Sequence, residues 1–391
     1  MIVSIVGGAG RVGLPLALVL AENNFEVKII DIDKSRVASI NSKIMPFEEV
    51  GAQKIISSLP DRRISAHTDL HFIEGSEVCI LIIGTPVSKA GKPGTDSLLT
   101  LIENMIPFLK GVKILILRST VYPGVTRKIG DFLQENNLEI EVSFCPERLI
   151  EGNAINELRN LPQIIGVKTD NAYYMSLAVF KLISPEIIRT SIEEAEITKL
   201  FANTYRYLQF GIANEFFEIC VNNNINWENV WHALRFNYPR AASLPSPGFA
   251  AGPCLVKDTQ QLNYYYDNKF KLGNSVLEIN EGLPDFLIDK LSDLIDIKDK
   301  TIGILGMTFK GEIDDFRQSL SFRLKRILES RAKRVLCSDT KLQEAYFVDT
   351  QTLIHNSDII FIAAPHHEYK AIVTDKVIID IWRITKNRSL I

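Results

Sequence analysis

The run Gly8-Ala9-Gly10-Arg11-Val12-Gly13 constrains this chain more than any other feature. It follows a β-branched apolar stretch, Ile2 to Val6, and leads into a helix-forming one. In that setting the glycines permit a tight turn and let backbone N–H groups approach a pyrophosphate at the positive end of a helix. Asp31 follows the next apolar stretch, Glu26 to Ile30, about 20 residues on. A carboxylate there accepts from adenosine ribose hydroxyls and repels a 2′-phosphate, which favours NAD over NADP. Glycines that merely tighten a turn would explain the turn but not the acid. Arg36 reads either as a cover for the adenine or as a solvated helix residue.

Further short apolar runs at Val78 to Ile83, Lys113 to Leu117 and Ile164 to Val167 alternate with amphipathic stretches, as buried parallel strands and helices do. The expected fold class is α/β, opening with a doubly wound Rossmann-type sheet. From Ser191 the apolar residues recur every three or four positions for about thirty residues, which predicts a long connecting or dimer-forming helix. The stretch NYPRAASLPSPGFAAGPCLVKD then carries four prolines and reads as a structured loop. After a helical segment near Leu272 to Ile295, strands are expected at Thr301 to Leu305, Arg334 to Cys337, Ile359 to Ala363 and Val377 to Ile381. A helix from about Gln318 to Ser330 separates the first two, giving a smaller second α/β domain. No local repeat stands out.

Composition narrows the partners. The 391 residues are 46% hydrophobic and 23% charged, with 44 basic against 47 acidic residues dispersed along the chain. That balance argues for a small-molecule substrate rather than nucleic acid or a membrane surface. Five dispersed cysteines suit reduced thiols rather than a disulfide framework, and none forms a CxxC metal pair. The N-terminus has no basic region ahead of an apolar stretch, and no run is long enough to span a bilayer. A cytoplasmic protein is expected.

Four places carry candidate chemistry. Gly84-Thr85-Pro86 and Ser119-Thr120-Val121 sit at strand carboxyl ends, where open α/β sheets bind ligands, although turn stabilisation alone would explain their hydroxyls. Lys199 and Asn203 lie one helical turn apart and could hold an oxyanion, or else form a solvated face. Gly252-Pro253-Cys254-Leu255-Val256-Lys257-Asp258 sets a cysteine in a rigid loop with a cation three residues on, an arrangement that favours a nucleophilic thiolate. Cys79, Cys145, Cys220 and Cys337 read as small buried apolar residues.

Together with CPERLIEG, GMTFKGEIDDFRQS and EAEITKLFANTYRYLQFGIANE, these motifs make nearly the whole chain resemble the UDP-glucose/GDP-mannose 6-dehydrogenases. The resemblance implies an NAD-binding Rossmann domain (1–188), a central helical dimerisation domain with the cysteine loop (189–297) and a smaller C-terminal Rossmann-like domain binding the UDP-sugar (298–391). Substrate would lie between the two α/β parts. It implies NAD contacts from Gly8, Gly10, Arg11, Val12, Gly13, Asp31, Arg36, Thr85, Thr120, Glu151, Lys257 and Arg317. Sugar-nucleotide contacts would come from Glu147, Arg148, Leu149, Lys199, Asn203, Arg240, Phe249, Gly252, Phe309, Lys310 and Arg383, with Arg240 reaching a partner subunit's site in a homodimer or higher homo-oligomer.

The implied catalytic set is Cys254, Lys199, Asp258, Asn203, Glu147 and Thr120. Alcohol to acid is a four-electron change, so two NAD are consumed per sugar. Lys199, with Asp258 and a water, would take the C6 hydroxyl proton. Cys254 would form a thiohemiacetal and then a thioester, Glu147 would act as acid/base at the thioester stage, and Lys199 with Asn203 would hold the oxyanion. CPERLIEG and PGFAAGPCLVKD lean towards UDP-N-acetylmannosamine, with UDP-glucose or UDP-N-acetylglucosamine as alternatives. The chain departs from the family in Phe249-Ala250-Ala251-Gly252-Pro253, where many members carry more glycine, and in a shortened region after Cys337. A two-electron β-hydroxyacid dehydrogenase would explain Lys199 and Asn203 but not Cys254 or Asp314-Asp315-Phe316-Arg317. An inactive NAD-binding scaffold would be expected to have lost the charged residues.

Overall fold

A strand covered by helices on both faces can be apolar at successive positions, and most of the short strands of the N-terminal half take that form. In the computed structural model, which describes residues 1–88 and 93–391, they are β1 (Ile2–Val6), β2 (Glu26–Ile30), β3 (Ile64–His67), β4 (Val78–Leu81), β5 (Ile114–Leu117), β6 (Glu141–Phe144), β7 (Gln163–Val167) and β8 (Ile187–Thr190). Their order in one sheet is β3-β2-β1-β4-β5-β6-β7-β8. Side chains alternate across it: Ile80, Ile114 and Ile116 enter one core, while Cys79, Leu81, Leu115 and Leu117 enter the other.

Three of these strands have no counterpart in the sequence reading. β3 and β8 lie at the edges and need bury less, and β6 begins with two half-buried residues, so none is a continuous apolar run. The expectation that Ile164 to Val167 is parallel is corrected on one side. β7 runs antiparallel to β6 and parallel to β8.

The chain divides into two units, Met1–Ala202 with Gln260–Asn268, and Asn203–Thr259 with Lys269–Ile391. The long helix Ile192–Asn222 begins in the first and ends in the second. In the second, helices Trp227–Arg235 and Lys271–Leu294 precede a parallel sheet of β9 (Thr301–Leu305), β10 (Arg334–Ser338), β11 (Ile359–Ile362) and β12 (Val377–Asp380), in the order β10-β9-β11-β12. The expected proline-rich loop ends earlier than its composition suggested. A helix, Leu255–Tyr265, starts directly after Cys254 and takes in Lys257 and Asp258. Pro253, the last proline, precedes it, where a missing N–H costs no helical hydrogen bond.

No local repeat stands out in the sequence, but a long-range one is present in the backbone rather than in side chains. After β1, Gly7 has φ 78°, donates its N–H to Ile30 at 2.8 Å, and stands two residues before Ala9, whose N–H donates to Asp31 at 3.0 Å. After β9, Gly306 has φ 92°, donates to Ser338 at 2.9 Å, and is followed by Met307, whose N–H donates to Asp339 at 2.6 Å. Both glycines need positive φ, and a Cβ on Gly7 would come within 2.2 Å of the Ile82 carbonyl.

Candidate active-site residues

The glycine turn fits a dinucleotide. Helix Gly13–Glu22 begins at Val12 with no side-chain cap and no acidic residue in its first turn, and its residues Gly13 to Ala21 are buried. Its amino end is therefore suited to a phosphate. Gly13 is required by packing, since a Cβ would meet Gly8 Cα at 2.6 Å. Gly10 is different: the nearest atom to a Cβ there lies 3.8 Å away. The protein itself leaves that position open, as close approach of a pyrophosphate requires.

Asp31 accepts from Ala9 N and Asp33 N, which spends only part of a carboxylate's roughly four lone-pair sites and leaves capacity for a ribose. Its counterpart Asp339 takes the N–H groups of Met307, Thr308, Lys341 and Leu342 and contacts buried His366 at 3.2 Å, so it is saturated by the protein. Only the first repeat keeps an acid able to hold a ribose. Arg11 and Glu151 pair at 2.7 Å, with the guanidinium 5.0 Å from the Phe47 ring centre. Arg36 pairs with Asp33 at 3.2 Å. The Thr85 hydroxyl donates to the Thr120 carbonyl at 2.6 Å, joining the two strand-end loops to each other.

Lys199 and Glu147, 52 residues apart, meet in the first unit at 2.9 Å, with Lys199 only 3% exposed. Burial pushes the Glu147 carboxyl up, but the Lys199 ammonium, the Leu149 N–H and the Arg118 guanidinium outweigh it and hold the group below the ordinary carboxylate value. Removing one partner of such a buried pair would cost about 3–5 kcal/mol. Arg148 donates to the Pro162 carbonyl and Leu149 packs against the core.

In the second unit Asn203 donates to Asp258 at 2.5 Å, and Lys257 pairs with the same fully buried carboxylate at 2.7 Å. Cys254 is exposed at the amino end of helix Leu255–Tyr265, at the positive end of its dipole, with the Lys257 ammonium of the first turn paired to Asp258. The other four cysteines are buried, and burial pushes Cys79 and Cys337 to about 12 and Cys145 to about 11. Gly252, at φ 99°, lies against the Phe309 ring, where a Cβ would come within 2.5 Å, and Phe249 is buried. The Lys310 carbonyl accepts from Thr308, and Arg317 forks onto Asp315 at 2.6 and 2.9 Å.

Two further predicted substrate residues lie in the second unit. Arg240 lies over the Tyr238 ring on an exposed turn. Arg383 donates to the Ile391 carbonyl, faces Glu228 at 3.4 Å, and lines a groove with Trp227, Lys290 and Arg388 that includes none of Phe249, Gly252, Phe309 or Lys310. The sequence reading missed several anchoring residues. Asn214, fully buried, both donates to and accepts from Gly248 and so fixes the cysteine loop. Gln261 donates to the Thr85 carbonyl. Glu196 accepts from Gly124 N at 2.6 Å and Thr126 N at 2.8 Å, capping helix Val125–Glu135 from 70 or more residues away. These are amides and acids within helical runs, and only an apolar position occupied by a polar residue could have signalled them.

Family models match along the chain: the UDP-glucose/GDP-mannose dehydrogenase family NAD binding domain over residues 1–184, its central domain over 193–282 and its UDP binding domain over 303–387. A UDP-N-acetyl-D-mannosamine dehydrogenase of Methanococcus maripaludis is 29% identical, covering 95% of this chain and 87% of the relative. One from Campylobacter jejuni is 26% identical, covering 95% and 97%. A solved UDP-D-ManNAc dehydrogenase of Pyrococcus horikoshii superposes with a TM-score of 0.90 at 25% identity, covering 100% and 97%.

Proposed function

Since the chain belongs to the UDP-glucose/GDP-mannose dehydrogenase family and is an NAD-dependent nucleotide-sugar dehydrogenase, we propose that it oxidises the C6 primary alcohol of UDP-N-acetylmannosamine to the carboxylate through a thioester on Cys254. The product would serve polysaccharide precursor synthesis in the cytoplasm. The observation that carries the covalent route is the contrast among the thiols: Cys254 alone is exposed, at a helix amino end, while the other four are buried. The names of the relatives support the sugar.

When bound, NAD supplies a two-electron hydride acceptor, and acid formation calls for two of them per sugar. Gly8, Gly10, Val12, Gly13 and Asp31 would hold it, with Arg11, Arg36, Thr85, Thr120, Glu151, Lys257 and Arg317 at its margins. In the first oxidation Lys199 would take the hydroxyl proton as a neutral amine, having passed its own proton through a water to Asp258. The Cys254 thiolate then adds to the aldehyde carbon, and the resulting alkoxide is held by Lys199 and Asn203. A second two-electron oxidation leaves the thioester. Water adds to it with Glu147 accepting the proton, the carbon–sulfur bond breaks, and the thiolate is restored. Glu147, Arg148, Leu149, Phe249, Gly252, Phe309 and Lys310 would line the sugar nucleotide. Arg240 would act across a homodimer, and Arg383 is assigned to the same ligand by resemblance alone. The domain division 1–188, 189–297 and 298–391 belongs to the same proposal.

The test is NADH formation with NAD and a panel of UDP-N-acetylmannosamine, UDP-N-acetylglucosamine, UDP-glucose and GDP-mannose, counting NADH per sugar consumed. Two per UDP-N-acetylmannosamine is expected. Two per another sugar would reassign the substrate, and one per sugar would exclude acid formation.

A further inference from the structure

Arg118 directly follows β5 and is 2% exposed. Its guanidinium donates to the Cys145 carbonyl at 3.0 Å and to the Gln163 side-chain oxygen at 2.8 Å, and lies 5.2 Å from the Phe180 ring centre. Gln163, in turn, donates to the Pro146 carbonyl at 3.1 Å. The two carbonyls so held belong to the residues immediately before Glu147. Burying a full charge is expensive, and these hydrogen bonds go to neutral acceptors that an uncharged donor could satisfy as well. Among the described residues no carboxylate forms an ion pair with Arg118. The groups that feel its charge are the Cys145 thiol, which burial keeps neutral, and the Glu147 carboxylate.

We propose that Arg118 is a positioning residue for the reaction: with Gln163 it fixes the turn that presents Glu147 to Lys199, and it adds a second buried positive charge to the surroundings of that carboxylate. Four charged or titratable groups act on Glu147 or share its turn. Lys199 comes from the long helix, Arg118 from the end of β5, and Cys145, whose thiol burial keeps neutral, and Arg148, which donates to the Pro162 carbonyl, from the same turn. Lys199 has the largest hold on the Glu147 carboxylate and Arg118 adds a smaller one to it, while Gln163 fixes where the carboxylate points. The two contributions are separable because only Arg118 is charged.

The inference rests on Lys199 and Glu147 being reacting groups. Its test compares Arg118→Met, Arg118→Lys and Gln163→Leu in the full chain, following kcat and KM against pH, NAD affinity by calorimetry and Tm. Arg118→Met should move the acidic limb of the kcat profile up by roughly one pH unit. Its kcat should fall about tenfold at neutral pH, with KM and NAD affinity within about twofold. Gln163→Leu should lower kcat without moving the limb. If Arg118→Met fails to fold, Arg118→Lys decides: it should keep the limb and lose kcat, because an ammonium cannot reproduce the guanidinium fork. Variants that lose only Tm, with limb and kcat as in the wild type, overturn the inference. A wild type that makes no acid from any nucleotide sugar defeats the underlying reading instead.

Discussion

At Cys254 a single thiol differs from its four counterparts by exposure and by the helix amino end beside it. Thiol labelling at pH 8 should modify one cysteine per chain rapidly, since a thiol pushed to about 12, as Cys79 and Cys337 are, is almost wholly protonated there. Cys254→Ser should remove that fast phase and abolish acid formation while leaving NAD affinity unchanged by calorimetry. Fast labelling that persists in the variant, or undiminished acid, would exclude Cys254 as the nucleophile. The identity of this residue was legible because glycine and proline around it exclude a buried helix or strand setting. Its position at a helix amino end was not, because the same prolines masked where the helix begins.

Among the elements, the helix Ile192–Asn222 was legible from apolar spacing, but the ionisation of its side chains was not. Glu218 is pushed up to about 7, first by burial and then by Glu215 three residues earlier. Its folded value lies above the ordinary 4.5, so the fold gains from the protonated form. That gain is fully present below pH 4.5 and is lost as pH rises through about 7. Glu218→Gln should therefore raise Tm at pH 8 by roughly 2–4 °C, solvent screening keeping the effect small, and change it little at pH 5. Equal shifts at both pH values would mean that the charge is not the cause. The edge strands β3 and β8 show the reverse case. Pairing on one side only requires little apolar character, so the sheet, not local sequence, makes them strands.

For the whole molecule, Tyr205, Ile212, Phe216 and Ile219 recur at helical spacing with exposures of 60, 46, 43 and 52%. An apolar stripe of that kind on a long helix suits the proposed homodimer. Phe216→Glu combined with Ile219→Lys should halve the solution mass measured by light scattering. An unchanged mass would remove this face as the interface. Among the described residues no helix is long and apolar enough to cross a membrane.

By itself the sequence determined the α/β alternation, the dinucleotide turn, the long helix and the loop setting of Cys254, because each depends on residues close together in the chain: a glycine turn, a 3.6-residue period, a rigid loop. Only the tertiary structure decided that Lys199 meets Glu147 across 52 residues, that Glu196 caps a distant helix, and that Arg118 lies beneath the Glu147 turn. Nor could the sequence reveal that Asp339 repeats the place of Asp31 with its oxygens already taken. Such pairings join residues that strand order brings together, and one chain read alone carries no record of that order. A buried charge is stabilised by whatever the fold sets beside it, so its role is written in packing rather than in local composition.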